Sequence, residues 1–415
     1  MADKSISLLK LVEQRASRKE ELEEEKRKRH ETLIPYLPTE CISNILVRLP
    51  HESLQRSRFV CKTWYRIINS TIFIEAYLQR SESVLVFLHP SKRDTFFPYS
   101  RPNLQEKPNA FSVESKLFQL QSVPVRQQPL IDPSLLLHIK FMEIENGKMK
   151  IEEYNTTCLG TIRAAGGGLI VLDDKMKNGG LIVMNPVTKE LTALPSGSLC
   201  SPHNESYGLA FCQTTRNFKL VHLFQGEMQF VSCEILDLGA KSWRIVDGPA
   251  FRAFRWFVYD PVFAIGAIHW VPKTMHSKYL VYMTVDDEKF HRIPLPRRSK
   301  LHDRVMEMHG GLGFVTRKKL CRIDVWILRN LCGDGWTKQY SITVDCNSHL
   351  IPLYSSRICG EMIFEDKDGS LYAYDCSLQN MRKVEMQEGS FPVVGHYFAH
   401  VNSLLSWKIQ GNVID

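Results

Sequence analysis

Between Pro38 and Pro50 the apolar residues Ile42, Ile45, Leu46 and Leu49 fall at the i, i+3, i+4, i+7 spacing of one helix face, with a proline at either end. Val60, Trp64, Ile67 and Ile68 repeat that spacing. Leu54 and Phe59 lie between the two stripes, and Phe73 and Tyr77 fall on a further helix beginning near Ser70 or Thr71. The pattern predicts three or four short helices within residues 33–78. From Ser83 onward the helical spacing stops, and short apolar strands replace it, each bounded by Gly, Pro, Asn or Asp.

One unit recurs among these strands: a strand, a polar turn, and a second strand that often carries an aromatic or leads to a proline. It spans residues 141–151, 181–195, 233–246, 280–296, 323–342 and 371–384. The turn centres near 146, 187, 239, 287, 332 and 378 are separated by 41, 52, 48, 45 and 46 residues. Propeller blades of four strands repeat every ~40–50 residues and pack radially, so that no long sheet edge stays open. Residues 111–120 read as an earlier hairpin of the same kind, which would make a seventh. Gly166 to Gly168 before Leu169, and Gly179-Gly180 before Leu181, look like the glycine-pair strand starts of kelch blades. The expected fold is a small all-α unit followed by a large all-β domain, a kelch-like β-propeller of six to eight blades. A tandem of irregular β-sandwiches is the competing architecture.

At 415 residues the chain exceeds the ~250–300 residues that one core usually holds. It divides into a charged, mobile lead-in at 1–31, a helical domain at 32–80 and a β domain at 83–415. The lead-in carries five glutamates followed by Lys26, Arg27, Lys28 and Arg29. Such a run can form a solvated helix of ion pairs, with a nuclear-localisation or docking patch as the functional alternative. The longest strongly apolar run, 84–88, is far short of a membrane span, and the N-terminus has no apolar signal region. A nuclear or cytoplasmic protein with no membrane association is expected. The cysteines are scattered and never form C-x-x-C, so they are expected to be reduced. The net charge of +8 is not gathered into a basic domain, which argues against nucleic acid as the main ligand.

The helical stretch carries a resemblance. The order Leu37-Pro38-x-Glu40-x-Ile42, Ile45-Leu46-x-x-Leu49-Pro50, Leu54-x-Arg56-x-Arg58-x-Val60-Cys61-Lys62-x-Trp64, Ile67-Ile68, Phe73 closely resembles an F-box at nearly every position. The resemblance implies a three-helix module that docks on a Skp-type adaptor, which joins it to the cullin scaffold and RING subunit of a ubiquitin ligase. It implies that Leu37, Pro38, Ile45, Leu46, Leu49, Pro50, Leu54, Val60, Cys61 and Trp64 lie at or just behind the adaptor interface. A segment of this size buries too little surface to be comfortably stable alone. Its apolar inventory also exceeds what short helices can hide among themselves, so part of it must face the following domain or another protein.

Several later pieces resemble, in order, the F-box-associated domain of the large plant F-box family from about residue 160 onward. They are Asn185-Pro186-Val187-Thr188, Tyr207-Gly208 followed by Phe218-Lys219, Ser242-Trp243-Arg244, and Gly266 with His269-Trp270. Val325-Trp326 with Trp336-Thr337 and the closing Ser403-Leu404-Leu405 complete the set. Residues 83–135 match poorly. This likeness implies a substrate-capturing domain and a plant origin.

Motifs of catalysis are sparse. The chain has no phosphate-cradling G-x-x-x-x-G-K-[ST], no H-E-x-x-H and no G-x-S-x-G. His269 beside Trp270 reads as a hydrogen-bonded structural histidine. Asp173-Asp174, Asp286-Asp287, and Asp366 with Asp368 sit in turn contexts, where aspartate is favoured for its own backbone hydrogen bonds. No cofactor and no metal is expected. Trp243, Trp256, Trp270, Trp326 and Trp336 read as blade filler. Arg252, Arg255, Trp256 and Tyr259 are the candidate target-binding residues, since Trp, Tyr and Arg dominate interface energetics; a buried strand with snorkelling arginines is the alternative.

The expected function is a non-catalytic substrate-recognition subunit of an SCF-type (Skp-cullin-F-box) ubiquitin ligase, bridging the adaptor to an unidentified target protein. Its rivals are a cullin-independent propeller binding protein, a lectin-like ligand reader, and a propeller hydrolase. The last would need carboxylates or histidines converging on the central channel.

Overall fold

Pro38 and Pro50, at φ −52° and −56°, stand immediately before α1 (Thr39–Leu46) and α2 (His51–Ser57). There, a missing N–H removes nothing from the helix. α3 (Lys62–Ile68) opens on Cys61, whose sulfur accepts the N–H of Trp64 at 3.5 Å. α4 (Thr71–Arg80) opens on Ser70, whose hydroxyl accepts the N–H of Phe73 at 3.3 Å. The two apolar stripes and the fourth helix meet in one cluster of Leu46, Val47, Leu54, Ile67, Ile68, Phe73 and Tyr77. Two residues from the β domain complete it, Val187 and Leu404. The helices are therefore not self-sufficient.

A computed structural model describes residues 18–19, 37–90, 137–145, 147–158, 160–174, 180–199, 205–226, 230–249, 260–272, 277–300, 303–319, 321–333, 335–345, 348–357, 360–385 and 397–404. The expectations for the rest of the lead-in, for the hairpin at 111–120, and for Arg252, Arg255, Trp256 and Tyr259 lie outside them. None of the described helices is long and apolar enough to cross a membrane.

β1 (Ser83–Pro90), β2 (Leu137–Glu145) and β3 (Lys148–Cys158) begin the first sheet. The second is β4 (Ile162–Gly166), β5 (Leu169–Asp174), β6 (Gly180–Asn185) and β7 (Glu190–Ala193). The third is β8 (Glu205–Cys212), β9 (Asn217–Gln225), β10 (Val231–Asp237) and β11 (Arg244–Val246). The fourth is β12 (Val262–Ala264), β13 (Ala267–Trp270), β14 (Tyr279–Thr284) and β15 (Phe290–Pro294). The fifth is β16 (Arg304–Met308), β17 (Gly311–Lys319), β18 (Arg322–Leu328) and β19 (Thr337–Thr343). The sixth is β20 (Ile351–Ser355), β21 (Glu361–Glu365), β22 (Leu371–Asp375) and β23 (Asn380–Lys383). Finally β24 (Phe398–Val401) returns to pair antiparallel with β1, giving the first sheet the order β24-β1-β2-β3.

These six four-stranded sheets are the blades of a β-propeller, closed by the last strand becoming the inner strand of the first blade. The six turn centres found in the sequence each fall in the hairpin between the third and fourth strands of a different blade. The apolar clusters explain the stacking. Apart from the helical one, each lies between two neighbouring blades, as with Val84, Val86 and Phe141 against Ile162, Ile170 and Met184. On β1 the alternate residues Leu85 and Phe87 face the sixth blade instead. A strand buried on both faces reads as a continuous apolar run, which accounts for residues 84–88. Trp270 is fully buried between blades 3 and 4, while Trp243, Trp326 and Trp336 are half-buried against other blade interfaces.

Antiparallel order puts the first-to-second and third-to-fourth turns of every blade on one face of the ring. The helices sit on that face, over Val187 of the β6–β7 turn. The connections between blades open on the opposite face.

Candidate functional site

The helices leave a set of apolar side chains uncovered. Leu37 is 48% exposed, Ile45 53%, Val60 62% and Phe59 85%. Pro38, Pro50 and Cys61 are exposed beside them, and Leu49 and Trp64 are half-buried. Leu46 and Leu54 are fully buried in the helical cluster and stand behind this surface rather than on it. Phe59 was not singled out as a surface residue, although its place between the two stripes was the available signal.

Two sets of hydrogen bonds among the described residues help fix the helices to the ring. Only two residues separate α4 from β1, and the second of them, Glu82, accepts from Ser356 Oγ at 2.9 Å and from the Arg357 N–H at 2.8 Å. Arg357 in turn donates from Nη1 to the Leu78 carbonyl of α4 at 2.9 Å, and from Nε to Glu307 Oε2 at 2.9 Å. One arginine thereby ties the end of α4 to blades 5 and 6. In the second set, Asn185 is fully buried at the end of β6. Its Oδ1 accepts the N–H groups of Val187 at 2.9 Å and Thr188 at 3.2 Å, closing the turn that carries Val187 into the helical core.

Within the ring, a buried charged network joins blades 2 and 3. His222 holds Glu234 Oε1 at 2.8 Å through Nδ1 and Glu205 Oε2 at 3.1 Å through Nε2. Tyr207 stacks on its ring at 4.2 Å and donates to Glu205 at 3.1 Å. Arg163 pairs with Glu205 and, at 3.4 Å, with Asp173. Burial opposes charge on His222, but its hydrogen bonds to Glu205 and Glu234 outweigh it and hold the imidazole above its ordinary range. Glu234 is held low: burial works against its charge, and the bonds from His222 and Ser198 overcome it.

The other titratable candidates have structural neighbours. His269 is fully buried, its Nδ1 lies 3.2 Å from the Val262 carbonyl, and burial lowers its pKa to about 4. Asp286 accepts from Cys212 Sγ and the Thr214 N–H. Asp366 accepts from the N–H groups of His349 and Lys367, and Asp368 from that of Ser370. His51, Glu52 and Glu152, at the seam of α2 and β3, each bring one donor atom within 4.8 Å of the others. Cys41, Cys61, Cys212, Cys233, Cys332 and Cys376 are free, whereas Cys321 is disulfide-bonded, against the expectation of uniformly reduced thiols.

Helices with an uncovered apolar surface, seated on a closed ring of six blades, match two family models. The one described as the F-box domain covers residues 34–75, and the one described as the F-box associated beta propeller domain covers residues 111–403. The chain belongs to the F-box-associated β-propeller family. Similar proteins of Arabidopsis thaliana run along nearly its whole length. "F-box protein CPR1" is 21% identical, covering 85% of each chain. "F-box protein At3g07870" is 21% identical over 89% of this chain and 92% of its own. "F-box/kelch-repeat protein At3g23880" is 22% identical over 82% of this chain and 88% of its own. The helices of this F-box protein are accordingly its F-box, and the ring its associated domain.

Proposed function

We propose that this F-box protein is the substrate-recognition subunit of an SCF-type ubiquitin ligase. Its F-box docks on a Skp-type adaptor, and through it on a cullin and a RING subunit, while the ring holds a target protein. The observation that supports this reading is the exposed set Leu37, Ile45, Phe59 and Val60. It lies on α1 and on the segments that flank the helices, whose own core is already completed by Val187 and Leu404, so it is surplus to folding. Exposed apolar groups gathered in this way mark a surface for another protein. The chemistry of ubiquitin transfer then resides in other subunits. The receptor's part is to hold a target lysine near the charged enzyme at high effective concentration.

Co-expression with a Skp-type adaptor tests the reading. The native chain should co-purify with the adaptor, and a chain carrying Leu37→Ala, Pro38→Ala and Leu49→Ala should not, while its ring stays folded. Undiminished co-purification would refute the interface.

A further inference from the structure

On the face turned away from the F-box, three segments of blades 4 and 5 are laced into one surface. They are residues 295–300 with Asp303 ahead of β16, Ser277 and Lys278 ahead of β14, and the end of β17. Leu295 N–H donates to the Lys278 carbonyl and Ser299 N–H to the Ser277 carbonyl, both at 2.9 Å. Asp303, buried beneath, accepts from Lys300 N–H at 2.8 Å, Thr316 Oγ1 at 2.9 Å and Arg317 N–H at 3.2 Å. Lys300 Nζ donates to the Arg317 carbonyl at 2.9 Å. The pairing of β17 with β18 slips between Arg317 and Lys319, leaving Lys318 as the extra residue of a bulge. Bulges re-aim side chains.

This framework gathers Lys278, Arg297, Arg298, Lys300 and Lys318. Arg297 is half-buried and the other four are exposed. None of the five forms a salt bridge with a described carboxylate. The acid among them, Asp303, is consumed by the framework itself. Like charges gathered on one surface repel unless an opposite charge completes them.

We infer that this surface binds an acidic segment of the target protein, rich in aspartate and glutamate. The inference rests on the reading of the ring as the target-holding half of the molecule. The patch and the exposed apolar residues of the F-box are on opposite faces, so adaptor and acidic segment can be held together. A protein segment fits better than nucleic acid. The five cations sit on short segments tied together by the hydrogen bonds above, and Tyr279, next to Lys278, is already covered by the Arg292 guanidinium at 5.1 Å from its ring centre; single strands are held by free aromatic faces.

The test is fluorescence anisotropy on the full chain with labelled peptides of alternating Glu and Gly, the matching Gln and Gly peptide, and an oligothymidylate. The Glu peptide should bind and the Gln peptide should not. Binding should weaken about tenfold or more as salt screens the patch, and by a similar factor when Lys278→Glu, Arg298→Glu and Lys318→Glu are combined. The milder set Lys278→Gln, Arg298→Gln and Lys318→Gln should lie between. Equal binding of the two peptides, or undiminished binding by both variants, overturns the inference. Tighter binding of the oligonucleotide, lost in the same variants, also overturns it. Adaptor capture by these variants should match that of the native chain. Loss of peptide discrimination with capture intact defeats this inference alone, and failed capture by the native chain defeats the ligase reading alone.

Discussion

The side-chain amide of Asn185 donates to the carbonyl of Ser403 at 3.0 Å, joining positions 218 residues apart. The same side chain closes the turn that delivers Val187 to the F-box core, and the next residue after Ser403 is Leu404, which enters that core from the other side. Gly168 faces the Ser403 hydroxyl so closely, at φ +86°, that any side chain there would collide with it.

Asn185→Ala leaves two N–H groups and a carbonyl without their partner. A buried polar group so stranded costs about 1–3 kcal/mol. Thermal unfolding should show a loss of that size, and adaptor capture should fall with it, because the seat of the F-box is disturbed although no residue of its exposed surface is touched. Full capture by a destabilised variant would show that the seat is dispensable.

The exposed and buried leucine-type positions of the F-box should separate cleanly. Ile45→Asp with Val60→Asp, both on the surface, should change stability by less than about 0.5 kcal/mol yet abolish adaptor capture. Leu54→Ala should cost about 2–5 kcal/mol, with capture lost only as far as the helices unfold. Urea titration and co-purification of the same variants distinguish the two effects.

His222 gives the junction of blades 2 and 3 a pH dependence with a definite sign. Its folded-state pKa is raised above 6.5, so its contribution is fully present below that value and is lost as pH rises through the folded pKa. Glu234 is lowered from 4.5, so its contribution is present above that value and is lost as pH falls. Taken by itself, this pair contributes most between pH 4.5 and 6.5, and its contribution to the melting temperature should fall as pH rises through the folded pKa of His222. In His222→Gln the alkaline decline should flatten; an unchanged profile would mean that the imidazole is not charged in the folded protein.

His400 on β24 is fully buried against Phe141, ring centroids 5.4 Å apart, and neither ring nitrogen has a hydrogen-bond partner. Burial pushes its pKa down to about 3, from 6.5. A group so depressed destabilises the fold progressively as pH falls below 6.5, by on the order of 2 kcal/mol at pH 5. His400→Leu should raise the melting temperature, and more at pH 5 than at pH 8.

Much of this architecture could be read before the structure. The turn residues of the outer hairpins carry strong local signals, so the spacing of 187, 239, 287 and 332 counted blades, and Pro38 marked a helix start; Pro50, expected to close that helix, instead opens the next one. The expected range of six to eight blades narrows to six, one for each turn centre; the blade boundaries were not legible, because inner strands such as β12, three residues long, are too short to leave a period in the sequence. The closure by β24 was hidden for a different reason: pairing between Val84 and His400 leaves no mark in either segment alone. The burial of Leu46 and Leu54 could not be separated from the exposure of Ile45 by spacing, because one amphipathic stripe serves two surfaces. The cationic patch joins residues from three separated segments, which no linear pattern reveals.

The seat of the F-box also sets an order in time. A chain made at about 5–20 residues per second exposes Leu54 long before Leu404 and the closing strand exist, an interval of roughly 20 seconds to a minute. During synthesis the helices stand without the two residues that complete their core. A messenger cut short anywhere before β24 therefore yields neither a closed ring nor a fully seated F-box.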